Sequence, residues 1–462
     1  MTMRLDGAVD RIRELLAKVP ATKTDPAWHA RLRLEACEWA MDHGLPTTKD
    51  EDWRYTRLEP IFELPLAPAA GGAIHAQSLD ALDSLYAPSD GTRLVFVNGH
   101  LDPERSRLTA LPIGVTVTNL ASILAEGGSQ LRSRWSLQPA PYRHAFGALN
   151  AGLAEDGAFI ELSPRTVVEE PIELVFISDT DGSPLLSSPR TIVLAGAGSR
   201  ATIVETYAGS TDDRYCTNAA TEVVLAECAH VEHFKVQDES ESAFHLASLD
   251  VHLSRASRFS SKMVSLGGKL ARHEVNIRLA GEGAQVDLDG LYMPSGDQQH
   301  DNPVLVEHAA PRCTSRQLYK GIVNDHGHGI FNGHIIVRPD ALGSDACQTN
   351  KNLILSDQAE VDTRPRLEIF TDEVSCTHGA AVGRLDQDAL FYLRSRGIPK
   401  AMARGLLTYG FAHEMVERCS REPLRDRMEK LVADRLIAGT GDAESRSGRI
   451  SPAQRVDEGI RQ

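Results

Sequence analysis

The sequence predicts a mainly β protein, a solenoid of stacked parallel strands with helical segments on either side. Three observations predict it. From Ala158 to about Arg384, apolar residues recur with period two. Leu249, Val251 and Leu253 alternate with Asp250, His252 and Ser254, and Val275, Ile277 and Leu279 with Glu274, Asn276 and Arg278. Such alternation marks strands apolar on one face and wet on the other. Small or polar turns recur before strands at AGAGSRATIVE, LAECAHVEHF, LSRASRFSSKMV and LAGEGAQVDL, and setting Ala201, Val231, Phe259 and Val286 as equivalent gives steps of 30, 28 and 27 residues. A repeat of strands and turns with no helices between them is a solenoid pattern. Finally, 36 glycines and 5% aromatic residues suit a turn-rich β fold better than a helical bundle. A β-sandwich with ordinary turns is the alternative.

Residues 1–155 read as a mixed, mainly helical region. Val9, Ile12, Leu16 and Val19 mark one face of a first helix. Pro26 opens a second, Trp28, Leu32 and Trp39 follow at helical spacing, and Gly44 stops it. EDWRYTRL (51–58) ends that pair, and residues 67–91 read as a loop or linker. Leu94 to Val97 is a strand. Asn119 caps a helix holding Leu120, Ile123 and Leu124, and Tyr142 to Leu153 is another.

The solenoid core is placed at 156–384. Between Val286 and Ile330 the repeat breaks over 44 residues, which include the loop-like PSGDQQHDNP, and it resumes from Ile330 to Val361 with a step of 31. After Gly383 the pattern turns helical, over 385–437. Asp386 caps a helix through Ser395, Pro399 opens the next, and Pro423 opens a third. Leu406, Leu407, Phe411, Met415 and Val416 form one stripe on the middle helix. Residues 438–462 are almost without apolar content and are expected to be disordered.

Composition excludes several functions. A net charge of -15 argues against a general nucleic-acid binder. No apolar run reaches bilayer length. The start, MTMRLDGAVDRIRELL, lacks the pattern of a secretory signal. Seven dispersed cysteines with no CxxC pair fit a reducing cytosol and make no self-contained zinc site. No GxGxxG, P-loop or GxSxG motif is present, so no ATP site or hydrolase elbow is legible.

The most suggestive chemistry is Cys376 and His378. On an extended segment both side chains share one face, where a thiolate and an imidazole can hold iron or zinc. Two ligands are half a site, and a buried Cys beside a hydrogen-bonded His is the plainer reading. Cys347, 29 residues before Cys376, would stack beside it if the coil is regular there. His326 and His328 read as solvated turn residues. His230 and His233 fall on opposite faces of a strand, and Asp287/Asp289 and Asp372/Glu373 read as solvated positions.

Several stretches together resemble the SufB/SufD family of iron–sulfur cluster assembly proteins. They are Phe331-x-Gly333-x-Ile335, QTNKNLILSD (348–357), Pro365-x-Leu367-Glu368-Ile369, Asp372-x-Val374-x-Cys376-x-His378-Gly379 and GRLDQDALFYLRSRGI (383–398), with EDWRYTRL and AFGALNAGL (145–153) upstream. The sequence looks more like the SufD type. SufB-type sequences typically carry His-Glu-Ala-Thr-Thr-Ser where His378-Gly379-Ala380-Ala381-Val382-Gly383 stands, and many have a Cys-rich N-terminal spacing absent here. The resemblance implies a right-handed parallel β-helix and a non-catalytic scaffold that pairs with SufB through a β-helix edge and binds the ATPase SufC. It places His378 and Cys376 at the SufB junction as ligands for a nascent cluster, with no resident cofactor. Leu406, Phe411 and Met415 become candidate SufC anchors. The competing classes are a β-helix polysaccharide lyase or hydrolase and a freestanding homodimeric scaffold.

Overall fold

A computed structural model describes residues 25–69, 91–129, 131–132, 144–210 and 213–438. The helix expected at Val9–Val19, the start of the helix expected from Tyr142, and the tail beyond Ala438 lie outside these residues. Residues up to Arg384 form one compact unit and those from Leu385 a second.

The first unit is a parallel β-solenoid of about seven turns. From Arg190 onward the strands alternate between an 11-stranded sheet and a 10-stranded sheet, so neighbours within a sheet are there two strands apart in sequence. The first sheet stacks Ile160, Val193, Val223, Val251, Ile277, Val306, Ile335 and Leu367 in one inward column. Such columns build one continuous hydrophobic core between the sheets.

The second sheet aligns Ala201, Val231, Phe259 and Val286 as the sequence predicts, and the column continues through Ser315, Ala346 and Cys376. The apparent break of 44 residues comes from changing sheets, because Ile330 lies in the first sheet and Val286 in the second. The true next rung is Ser315, whose hydroxyl hid it from an apolar pattern. Ile330 pairs with Asp362, one residue past the expected Val361. The loop-like HDNP is also strand, part of Gln299–His308. Its pairing to the preceding strand skips Asn302 and Pro303, where proline lacks the N–H.

One corner recurs in every turn. Gly198, Cys228, Ala256, Gly283, Arg312 and Gly343 hold the same left-handed position. Each donates its N–H to the carbonyl of the next corner, as Cys228 does to Arg255 and Ala256 to Glu282. Arg165 holds this corner one turn earlier, donating to the Ala197 carbonyl, so fewer than half of these residues are glycine, which is why the repeat is degenerate in sequence.

The N-terminal region covers the outer face of the first sheet. Helix α1 (Ala27–His43) follows Pro26 and ends at Gly44. Helix α2 (Glu59–Phe62) follows a short turn at Glu51–Trp53. Ala67–Pro68, expected in a loop, pairs with Leu185–Ser187. Arg93–Val97 and Val115–Asn119 extend the two sheets, so the sheets begin before residue 156. Helix α3 (Leu120–Ala125) is capped by Asp156, which accepts from the Ala121 N–H at 3.0 Å. Asn119, the expected cap, donates to that same carboxylate. Helix α4 (Ala145–Leu153) buries nearly all of AFGALNAGL. Its Asn150 donates to the carbonyls of Pro189 (3.1 Å) and Asn218 (2.7 Å), tying helix to sheet.

The second unit holds α5 (Gln387–Ser395), α6 (Lys400–Glu417) and α7 (Glu422–Ala438). Asp386 accepts from the Asp388 and Ala389 N–H groups at the start of α5, and Pro399 precedes α6.

Candidate functional site

The two sheets end on strands Glu360–Ile369 and Val374–Arg384, with no further strand beyond either among the described residues. Every residue of both is exposed or half-buried. Their outer backbone groups therefore form an open edge, a template for another strand. Ile369, Phe370 and Val382 are exposed beside it.

Cys376 and His378 lie two apart on the last strand, facing the solenoid interior. Cys376 sits on Ala346 and packs, half-buried, against the core. Burial pushes its thiol up, which the Ala346 backbone offsets in part and the Asp345 charge reinforces. The group is a thiol until a cation or metal draws off its proton. His378 sits on Gln348 and is exposed. Cys347 does not join them. It pairs with Thr377, because the step between these strands is 30 residues, so its thiol faces the opposite side. Among the described residues no cluster of three or more His, Cys, Asp or Glu could hold a metal, so the pair makes no metal site by itself.

Other predicted positions are settled by their partners. His328 meets Asp362 at 2.8 Å, while His326 is exposed. His233 is buried against Ser261 at 3.0 Å, and His230 faces the other way. Asp289, expected to be solvated, is buried 3.3 Å from the Lys262 amine, whereas Asp287 is exposed. On α6, Met415 and Val416 are buried, so Met415 is not presented on the surface. Leu406 is 50% exposed, with Phe391, Tyr392 and Met402 also outward.

A cleft of about 370 Å³ lies between the N-terminal segment and the first sheet, lined by Trp39, Trp53, His144, Arg272 and Arg366 among others. Its charges are consumed internally. His144 meets Glu274 at 2.7 Å, Arg366 meets Asp52 at 3.2 Å, and Arg272 pairs with Asp301 while stacking 3.7 Å over Trp53. EDWRYTRL thus acts as a clamp on the later turns. Thr56 adds a 2.5 Å bond to Asp301, and Glu51 pairs with Arg364 on the end strand.

The sequence reading missed a polar tract inside the solenoid. Glu239 accepts from Thr217 (2.8 Å) and Gln237 (3.1 Å) and meets His245 at 2.7 Å. The Ser265 hydroxyl then reaches Gln237, His273 and His300. Beside it Glu205 accepts from Thr221, and Lys235 lies over the Tyr207 ring, its amine pulled by burial down to about 8. The signal was available: in His230–Asp238 the inward positions read Val231, His233, Lys235, Gln237, polar after the first.

Known proteins resemble this chain over most of its length. Residues 176–411 match the family described as "SUF system FeS cluster assembly, SufBD core domain", and residues 21–174 the "SufBD protein N-terminal region". The chain is 34% identical to the iron–sulfur cluster assembly protein SufD of Escherichia coli, across 86% of this chain and 90% of that protein. It is 32% identical to an iron–sulfur cluster assembly SufBD family protein of Synechocystis sp., across 85% and 88%. The SufD of Bacillus subtilis is 26% identical across 94% and 99%.

Proposed function

The chain belongs to the SufB/SufD family of iron–sulfur cluster assembly proteins, in which it is most like SufD, and we propose that it is a scaffold subunit completed by partners. The observation that carries this is the open edge at Glu360–Ile369 and Val374–Arg384, where Cys376 and His378 lie beside strands paired on one side alone among the described residues. A SufB chain continuing those strands would bring the missing ligands to Cys376 and His378. The cluster is cargo, assembled there and passed on. The C-terminal unit would dock on SufC, with Leu406 and Phe411 as anchors, and ATP hydrolysis belongs to that partner. Nucleotide-driven dimerisation of SufC would pull on these helices and open the junction to iron and sulfide. The chain would work in the cytoplasm; no helix among the described residues is long and apolar enough to cross a membrane.

The test is co-expression with SufB and SufC, affinity capture of this chain and native mass measurement. A stoichiometric three-component complex is expected, with cluster formation falling at least tenfold in His378→Ala. Capture of this chain alone, with both partners soluble and unbound, would remove the scaffold reading.

A further inference from the structure

His378 stands at the top of an inward column that runs Ile203, His233, Ser261, Leu288, Gln317, Gln348. The residue directly beneath it is therefore Gln348, about 4.8 Å away along the stacking direction. Gln348 is fully buried. Its Nε2 donates to Gln317 Oε1 at 3.0 Å, while its own Oε1 has no hydrogen-bond partner among the described residues. A buried amide oxygen without a partner is costly and uncommon. The side chain is also held in place. Gly333 faces it, and a Cβ at that position would stand 2.1 Å from Gln348 Nε2, so the amide fits only because glycine is there. With Gln317 below and Gly333 alongside, the rung above carries the His378 ring.

We propose that Gln348 is a positioning residue for His378. Its amide oxygen accepts one imidazole N–H when the ring lies over its rung. That bond fixes the ring's orientation and tautomer and leaves the other nitrogen bare, facing out of the open end. A neutral imidazole with one nitrogen held and the other bare is the form that ligates a metal. Gln348 itself touches neither iron nor sulfide. The inference rests on the reading of His378 as a cluster ligand and adds what orients it.

The test compares the wild type with Gln348→Glu, which keeps an acceptor, Gln348→Met, which keeps the length without one, and His378→Ala. In the full-length chain, 15N-histidine NMR reads the tautomer of His378, assigned by its loss in His378→Ala. In the complex with SufB and SufC, cluster formation is followed by absorbance after adding ferrous iron and sulfide. The wild type and Gln348→Glu are expected to show one dominant tautomer and cluster yields within about twofold of each other. Gln348→Met is expected to show the tautomer mixture of a free imidazole and a yield lower by about tenfold. If Gln348→Met matches the wild type in both readouts while His378→Ala abolishes the cluster, the positioning role is overturned and the ligand reading stands. If His378→Ala also forms cluster normally, the ligand reading fails and takes this role with it. Should Gln348→Met fail to fold, a free-imidazole mixture in the wild type would by itself overturn the proposal.

Discussion

Asp250 stands on the outer face of the first sheet, between Glu222 on one neighbouring strand and Asn276 on the other. Burial pushes its carboxyl up to about 6, the charges of Glu222 and Glu274 add to this, and Asn276 and Arg190 offset part of it. Between the ordinary carboxyl value near 4 and 6 the folded chain holds a proton that the unfolded chain has lost. Stability from this group is therefore full below that window and falls as pH rises through it. Asp250→Asn should raise stability at pH 7 by about 1–2 kcal/mol and flatten its pH dependence between 4 and 6, read as urea midpoints across pH. An unchanged midpoint at pH 7 would mean the carboxylate is better solvated than its burial suggests. The same alternation that puts Asp250 outside put Cys376 and His378 on one face, so that pairing was legible from spacing alone. Cys347 was not, because a step of 30 rather than 29 turns a side chain to the other face. Gln348 was invisible for a different reason: its importance lies in which residue stacks on it, and register between turns is not written in local sequence.

The corner between the sheets shows at the level of the element how a fold can be regular while its sequence is not. Ala256 holds the left-handed position with φ 53° and Gly283 holds it one turn later with φ 70°. A side chain there costs about 1–2 kcal/mol, which glycine avoids. Ala256→Gly should therefore stabilise by about 1 kcal/mol, and Gly283→Ala, whose added Cβ would meet nothing within 4 Å, should destabilise by about the same. Matched urea titrations decide it, and equal signs for the two variants would refute a purely conformational origin. The C-terminal helices were legible from their prolines and from the Asp386 cap, but which side of α6 packs inward was not, since an apolar stripe looks alike whether it meets its own unit or a partner. The structure separates the two. Met415→Ala should cost about 2–4 kcal/mol of stability, whereas Leu406→Ala, at a residue 50% exposed, should leave thermal unfolding within about 0.5 kcal/mol and weaken retention of SufC. If Leu406→Ala captures SufC as well as the wild type does, the anchor lies on another face of the helices.

At the scale of the whole molecule, a stack of turns needs something at each end. At the start, Val115–Asn119 runs antiparallel to the first-sheet strand Ala158–Leu162, and His100–Leu101 folds back on Arg93–Val97. Strand direction thus reverses and propagation stops. At the other end, among the described residues, nothing reverses. Glu360–Ile369 and Val374–Arg384 are both parallel continuations, held on one side by the EDWRYTRL clamp and left open beyond. The solenoid itself was readable from its period, whereas this asymmetry was not, because an end strand and an interior strand share the same alternation. An open parallel edge invites pairing with a second copy when no other partner is present. The isolated chain is therefore expected to be a dimer, at about twice its 50.4 kDa mass by light scattering. Thr377→Lys with Ala381→Lys places two charges on the exposed outer face of the last strand, where a paired strand would bring them against their counterparts. That variant should be a monomer with an unchanged circular dichroism spectrum and should lose capture of SufB. A variant that stays dimeric yet loses SufB would show that self-association uses another surface, such as the exposed side of the C-terminal helices. A variant that becomes monomeric and still captures SufB would detach the partner junction from this edge, and with it the completion of the half site at Cys376 and His378.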